Sequence, residues 1–242
     1  VIKQDNYDEF ENYIKKAIET IQQLNNKPIM GIIPHKMAPK KVEDLIDLYD
    51  SQGINSFAID LDGKNPITGC LRIFRLLKIL NKKKLLDSSY IHGHNVGMRA
   101  TKIADIIPAK DILGFGVGLD SLGEKRKEFK PNRTFIDFIK TNPKDRFRLF
   151  DKGDYGYWKG LSVSELNNHL PKDTSFNLSS FMASDKSYVQ RAFNVEQLAL
   201  ESHNIRDKIK EDSEKILKYI KNKRNVNPDD LNIIEKGKTR II

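Results

Sequence analysis

Residues 28–63 read PIMGIIPHKMAPKKVEDLIDLYDSQGINSFAIDLDG, and this stretch decides the fold class. Ile29-Met30-Gly31-Ile32-Ile33 is a short apolar run stopped by Pro34, which reads as a buried strand. Val42, Leu45, Ile46 and Tyr49 recur at three- and four-residue spacing, one face of a helix that Gly53 closes. Ser56-Phe57-Ala58-Ile59 is a second strand, followed by Asp60, Asp62 and Gly63. Strand, helix and strand in such a short span form the unit of a parallel sheet.

The pattern extends both ways. Upstream, Phe10, Ile14, Ala17, Ile18 and Ile21 line one helical face. Downstream, Asn65-Pro66 is a helix start, with Asn as cap and Pro in the first turn. Ile67, Cys70, Phe74, Leu77 and Leu80 form the stripe behind it. Tyr90-Ile91-His92-Gly93-His94 predicts a third strand, Met98–Ile107 a short helix, and Ile112–Gly118 a fourth strand. Phe135–Ile139 predicts another helix, and Phe147–Phe150 a fifth strand ending at Asp151. The expectation is an α/β fold with a parallel sheet, whose sites lie at the carboxyl ends of strands. Those ends are Pro34-His35, Asp60–Asp62, His92–His94, Asp120 and Asp151. Residues 152–190 are polar with a short helix at Val163–Leu170, and Ile205, Ile209, Ile216 and Ile220 mark a final helical stripe. Residues 229–242 read as a short tail or docking strand. No Gly-rich dinucleotide fingerprint or phosphate loop is present.

Composition narrows the class. Across 242 residues, 38% are hydrophobic and 31% charged, so a disordered tail is excluded. No run approaches the roughly 20 apolar residues of a membrane helix, so no membrane partner is expected. The single cysteine, Cys70, excludes a disulfide framework and a multi-cysteine zinc site, and suits a reducing cytoplasm. The net charge of +9 permits a nucleic-acid partner. A Lys-, Ile- and Asn-rich composition alone also raises charge. Arg206–Arg224 holds eight basic and four acidic residues, which can follow an RNA backbone or form a solvated face.

Each candidate residue has a plain alternative. Asp151 can be a nucleophile, or cap a turn as Asp often does after a strand. Asp60 and Asp62 can read the edge of a guanine-like base, or cap the helix after Asn65-Pro66. His92 and His94 can be a metal pair, as in a barrel hydrolase, or turn residues beside Gly93 and Asn95. Tyr155, Tyr157 and Trp158 can stack on bases or pack in a core. His35 reads as a loop residue and Cys70 as core.

The order of these motifs resembles the C-terminal half of the tRNA-guanine transglycosylase family, especially its archaeal, archaeosine-forming branch. Pro28–Ile33 is similar to the family strand G-[IV]-V-Q-G, and Ser56–Ile59 to Y-A-[IV]-G-G. Arg148-Leu149-Phe150-Asp151-Lys152-Gly153-Asp154-Tyr155-Gly156-Tyr157-Trp158 resembles L-F-D-S-A-x-Y-A-L-Y, which places the nucleophilic aspartate on Asp151. If Tyr90–Gly97 matches the family's F-G-x-G-H-P strand, Asp120 becomes a rival. Phe176–Ser184 keeps the spacing of F-P-C-S-C-x-x-C-S, but the three zinc ligands have become Leu178, Ser180 and Ala183. Leu198–Asn204 resembles L-L-A-x-H-N and leaves His203 an orphaned ligand. One imidazole cannot hold tetrahedral zinc, so no zinc is expected, with Leu178, Phe181 and Met182 packing in its place.

The resemblance implies a (β/α)8 barrel of TIM type, partial in this chain, over residues 1–160. A degenerate zinc loop and C-terminal helices follow over 161–242. It implies exchange of guanine for a 7-deazaguanine, of the queuosine or archaeosine kind, in tRNA or DNA through a covalent aspartyl–ribose intermediate. Asp60, Asp62, His92, His94 and Tyr155 would bind substrate. The departures are specific. Pro34-His35 and Asp60-Leu61 stand where the family has base-binding Gln and Gly residues, and its D-S-G-G-F-Q motif is absent. Either the chain is a piece whose N-terminal half lies elsewhere, or it is a shortened relative. An alternative is therefore a non-catalytic nucleic-acid-binding or dimerisation subunit with an N-terminal-half or homologous partner. A metal-dependent hydrolase using His92 and His94 is the third reading.

Overall fold

The computed structural model describes residues 6–24, 27–97, 106–124, 147–161, 163–182, 186–211 and 213–238. The chain divides into two compact units. One comprises Val1–Met98, Leu113–Lys125 and Asn232–Ile242, the other Arg99–Ile112 and Arg126–Leu231. The boundary expected at residue 160 falls instead inside a strand, Gly156–Leu161.

The first unit is an α/β layer. In chain order it contains α1 (Tyr7–Leu24), β1 (Gly31–Ile33), α2 (Pro39–Ser51), β2 (Ser56–Asp60), α3 (Pro66–Lys82) and β3 (Tyr90–Val96). A four-stranded sheet runs β1-β2-β3-β5, where β5 is Ser121–Glu124, and every pair is parallel. Ile33, Phe57, Ile59 and Ile91 are buried, as are Leu45, Ile46, Ile73 and Leu76 of α2 and α3. This one-faced burial is what the helical stripes demand. Intervening strand residues are left more open, among them Ile32 at 53% exposed.

Two local devices fix this layer. Asn65 caps α3, its Oδ1 accepting the Thr68 N–H at 2.9 Å, with Pro66 in the first turn. Tyr49 secures edge strand β1. Its hydroxyl donates to the Ile32 carbonyl and accepts the Ile32 N–H, both at 3.0 Å. It thereby replaces the second strand neighbour that β1 lacks among the described residues. Gly31 makes room for this, because a Cβ there would come within 2.7 Å of the Tyr49 ring.

Residues Ile112–Gly118 form no strand. They make a turn and a short helix, α4 (Leu113–Gly116), and Gly118 adopts φ +99°. Glycine suits that backbone and permits close packing: a Cβ on Gly114 would lie 3.1 Å from Pro66 and Leu122. Of the helix expected at Met98–Ile107, residues 98–105 lie outside the described residues, and Ile106–Pro108 is a strand, β4. The helix expected at Phe135–Ile139 also lies outside them.

The second unit carries an antiparallel three-stranded sheet, ordered β4-β7-β6, with β6 Phe147–Asp151 and β7 Gly156–Leu161. Phe147–Phe150 is thus a strand, but it joins a hairpin and not the parallel sheet. The helices are α5 (Val163–His169), α6 (Leu178–Met182), α7 (Lys186–Glu211) and α8 (Ser213–Lys221). Leu149, Leu166, Phe181 and Phe193 form its core. Side chains of α7 close the free edge of β6. Gln190 Oε1 accepts the Arg148 N–H and Asn194 Oδ1 the Phe150 N–H, both at 2.9 Å, and Asn194 Nδ2 donates to the Arg148 carbonyl at 3.1 Å. The tail or docking strand expected at 229–242 is helical over Pro228–Lys238, α9, and Asn227 Oδ1 accepts the Asp229 N–H at its start. Among the described residues, no helix is long and apolar enough to cross a membrane.

Candidate functional site

At the carboxyl ends of β1, β2 and β3 the sequence turns polar, and the backbone leaves ordinary geometry. Pro34 stops β1 and presents His35. Asp62 and Gly63 after β2, and Asn95 near the end of β3, have φ of +54°, +69° and +59°. Asp and Asn tolerate this left-handed region better than most residues, yet it costs free energy and concentrates at functional sites. Backbone bonds hold the two turns together: Leu61 N–H to His94 O at 2.9 Å, Gly63 N–H to Asn95 O at 2.8 Å, and Gly97 N–H to Lys64 O at 3.1 Å.

Asp60 Oδ1 accepts the Asp62 N–H at 2.8 Å and Asn95 Nδ2 at 3.0 Å. Burial opposes its charge, but these two bonds outweigh burial and lower its pKa. From α3, Arg72 donates through Nη1 to the Asp60 carbonyl at 3.0 Å, and its Nη2 lies 3.1 Å from His35 Nε2. Asp62 Oδ2 lies 3.1 Å from the same nitrogen. One nitrogen cannot serve both groups. It must be bare to accept from Arg72 and protonated to donate to Asp62. Burial first, then Arg72, lowers the His35 pKa, which favours a neutral ring. His35 Nδ1 is buried without a hydrogen-bond partner among the described residues. The Asp62 side chain is 52% exposed, so its carboxylate is open to a ligand's N–H donors. Asp60 and Asp62 therefore do not cap α3, which Asn65 does.

The histidine pair is less suited to metal. His92 Nδ1 lies 2.7 Å from Ser121 Oγ, and burial, then His94, lowers its pKa. The His92 and His94 rings stand 6.2 Å apart and tilted. No group of three or more His, Cys, Asp or Glu residues that could hold a metal ion occurs among the described residues.

Other expected site residues fall elsewhere. Asp120 precedes β5, at the amino end of the sheet, where its Oδ2 accepts the Ile91 N–H at 2.8 Å. That position is opposite the polar ends of β1–β3. Asp151 belongs to the second unit, at the end of β6, and its Oδ1 accepts the Gly153 N–H at 2.6 Å. Its Oδ2 has no hydrogen bond among the described residues. Tyr155 is fully buried and donates its hydroxyl to Glu201 Oε1 at 2.6 Å. It is a core residue and not a substrate-binding one. Tyr157 is also buried and donates to Asp111.

Where the resemblance implies a former zinc loop, an aromatic cluster and a carboxylate hold the chain. Phe176, Phe181 and Phe193 pack with ring centroids 5.7–6.2 Å apart, and Leu178 packs against the same core. Met182, expected to pack there, is 65% exposed. Ser180 Oγ bonds Asn177, His203 is exposed on α7, and Ala183 lies outside the described residues. Glu196 clamps the loop, accepting from the Thr174 hydroxyl and from both the N–H (2.8 Å) and hydroxyl of Ser175.

Burial raises the Glu196 pKa, but the hydrogen bonds from Ser175 and Thr174 prevail and hold it at about 2, against an ordinary 4.5. Its folded pKa lies below its unfolded one. Its stabilisation is therefore complete above pH 4.5 and is lost as pH falls through 2. Glu196→Gln is expected to flatten the stability curve in that interval. Circular dichroism in acid titrations checks this, and an unchanged curve would rule out the charged clamp.

Arg72, Asn95 and the orphaned His35 nitrogen are site features that sequence reasoning missed. Arg72 shares α3 with Arg75, Lys78 and Lys82, so nothing in the local sequence set it apart. Comparison with known protein families, curated proteins and solved structures finds no match.

Proposed function

We propose that the chain is a transglycosylase-like protein that exchanges guanine for a 7-deazaguanine in tRNA or DNA, its parallel sheet forming part of a TIM-type barrel. The observation that carries this reading is the open Asp62 carboxylate at the carboxyl edge of the sheet, braced by Asp60, Asn95, His35 and Arg72. Guanine offers two parallel N–H donors on one edge, and a carboxylate matches them with two oxygens. A ligand N–H on Asp62 would also leave His35 Nε2 to Arg72.

Asp151 takes the nucleophile's role by its match to the family motif. In that role a carboxylate oxygen attacks the ribose anomeric carbon as the glycosidic bond breaks. The departing guanine keeps the bonding electrons and takes up a proton. The incoming base then attacks the same carbon, loses a proton, and releases Asp151. A second reading is a base-binding subunit without catalysis. The engagement of Asp151 Oδ1 in its own hairpin turn favours it.

Incorporation of labelled guanine into tRNA, with trapping of a covalent complex, tests both. Exchange is expected in the wild type and absent in Asp151→Ala, with guanine affinity retained. Asp62→Asn should weaken guanine binding about tenfold, since it replaces one acceptor by a donor. Exchange by Asp151→Ala removes its assignment, and binding without exchange in the wild type decides for the second reading.

A further inference from the structure

Beside the carboxyl-edge cluster, the first strand–helix–strand unit opens a cleft of about 360 Å³. Its floor is apolar, with Ile33 and Ile59 from adjacent strands, and its rim holds His35, Lys36, Arg72 and Arg75. No carboxylate lines it. Three permanent cations therefore border one space. Arg72 is drawn toward Asp60 and Asp62, but Lys36 and Arg75 have no hydrogen bond or ion pair to any described residue. Arg75 repels Arg72, a like-charge cost that an anion between them would relieve. Both Lys36 and Arg75 are exposed.

The neighbouring helix adds to this field. α2 starts at Pro39, and its cap residue Ala38 offers no side-chain acceptor. The positive pole of a helix left open in this way favours a negative group. The cleft's volume falls in the range of small-molecule sites. A guanidinium fork matches the oxygens of a phosphoryl group. Three cations around a concavity suit a dianion better than one diester of a polynucleotide.

We propose that this cleft binds the phosphoryl group of a small phosphate monoester, such as a sugar phosphate or nucleoside monophosphate. The inference stands on the cleft's charge and shape and not on the base-exchange reading, so either can fail alone.

The test is calorimetric titration of the full chain with ribose 5-phosphate, inorganic phosphate, guanosine and a single-stranded oligonucleotide. Ribose 5-phosphate should saturate at one per chain and raise the melting midpoint, and guanosine should not compete with it. Arg75→Gln and Lys36→Gln should each weaken it about tenfold, with unliganded midpoints unchanged. Absence of binding, or wild-type affinity in both variants, overturns the proposal. So does an oligonucleotide that binds through Arg75 while ribose 5-phosphate gives no heat.

Discussion

Glu201→Gln and Lys223→Met are each expected to cost about 3–5 kcal/mol of stability, the usual consequence of removing one member of a buried ion pair. Glu201 is 1% exposed and Lys223 9%. Lys223 Nζ lies 3.7 Å from Glu201 Oε1 and donates to the Lys152 carbonyl at 2.7 Å and the Tyr219 hydroxyl at 2.8 Å. It also stands over the Tyr219 ring at 4.1 Å and the Tyr155 ring at 4.8 Å. Glu201 in turn receives the hydroxyls of Tyr155 and Tyr219 and an amide N–H of Asn204. Burial, then Glu201, pushes the Tyr155 hydroxyl pKa up, and burial lowers that of Lys223. Either single change strands a charge or its donors away from water. The double variant should therefore lose less than the sum of the singles. Urea unfolding of all four proteins measures this, and strict additivity would mean that the two groups do not interact.

Gly97→Ala is the second large effect. A Cβ there would sit 1.8 Å from the Gly63 carbonyl oxygen and 2.4 Å from its carbon. Both are backbone atoms, so no rotamer relieves the collision. The turn bearing Asp62 must move, and the Gly97 N–H bond to Lys64 goes with it. A loss of about 3 kcal/mol is expected, together with loss of guanine binding. Gly53→Ala is the control. Its φ is +69°, but nothing lies within 4 Å of the added carbon, so only about 1 kcal/mol should be lost. Thermal midpoints separate the two. Equal midpoints would show that the turn at Gly63 does not pack against Gly97.

The contrast between these residues explains what could be read in advance. β1, α2, β2 and α3 were legible because each buries a local periodic stripe, and Asn65-Pro66 marks its helix start by chemistry within one turn. Ile112–Gly118 misled because a short apolar run does not declare its period, and the glycines there serve a turn and close packing. Phe147–Phe150 was legible as a strand, but its direction was not. That depends on pairing with β7 and on Gln190 and Asn194 of α7, which no local pattern encodes. Within the site, Asp60 and Asp62 stood out as carboxylates after a strand. Arg72 and Asn95 did not, because their importance comes from meeting Asp60 across the fold. The same distance in sequence hid the Glu201–Lys223 pair.

Neither unit is a continuous length of chain. The parallel sheet needs β5, which follows a stretch belonging to the other unit, and Asn232–Ile242 rejoin the first unit only after the second is complete. Domains usually form one after another as they leave the ribosome. Here that order is broken. The first unit waits, with β3 lacking its neighbour, while the segment that follows is made. A nascent chain halted after Val96 would expose the β3 edge to any strand able to pair with it. That edge is covered only once Ser121–Glu124 has been made.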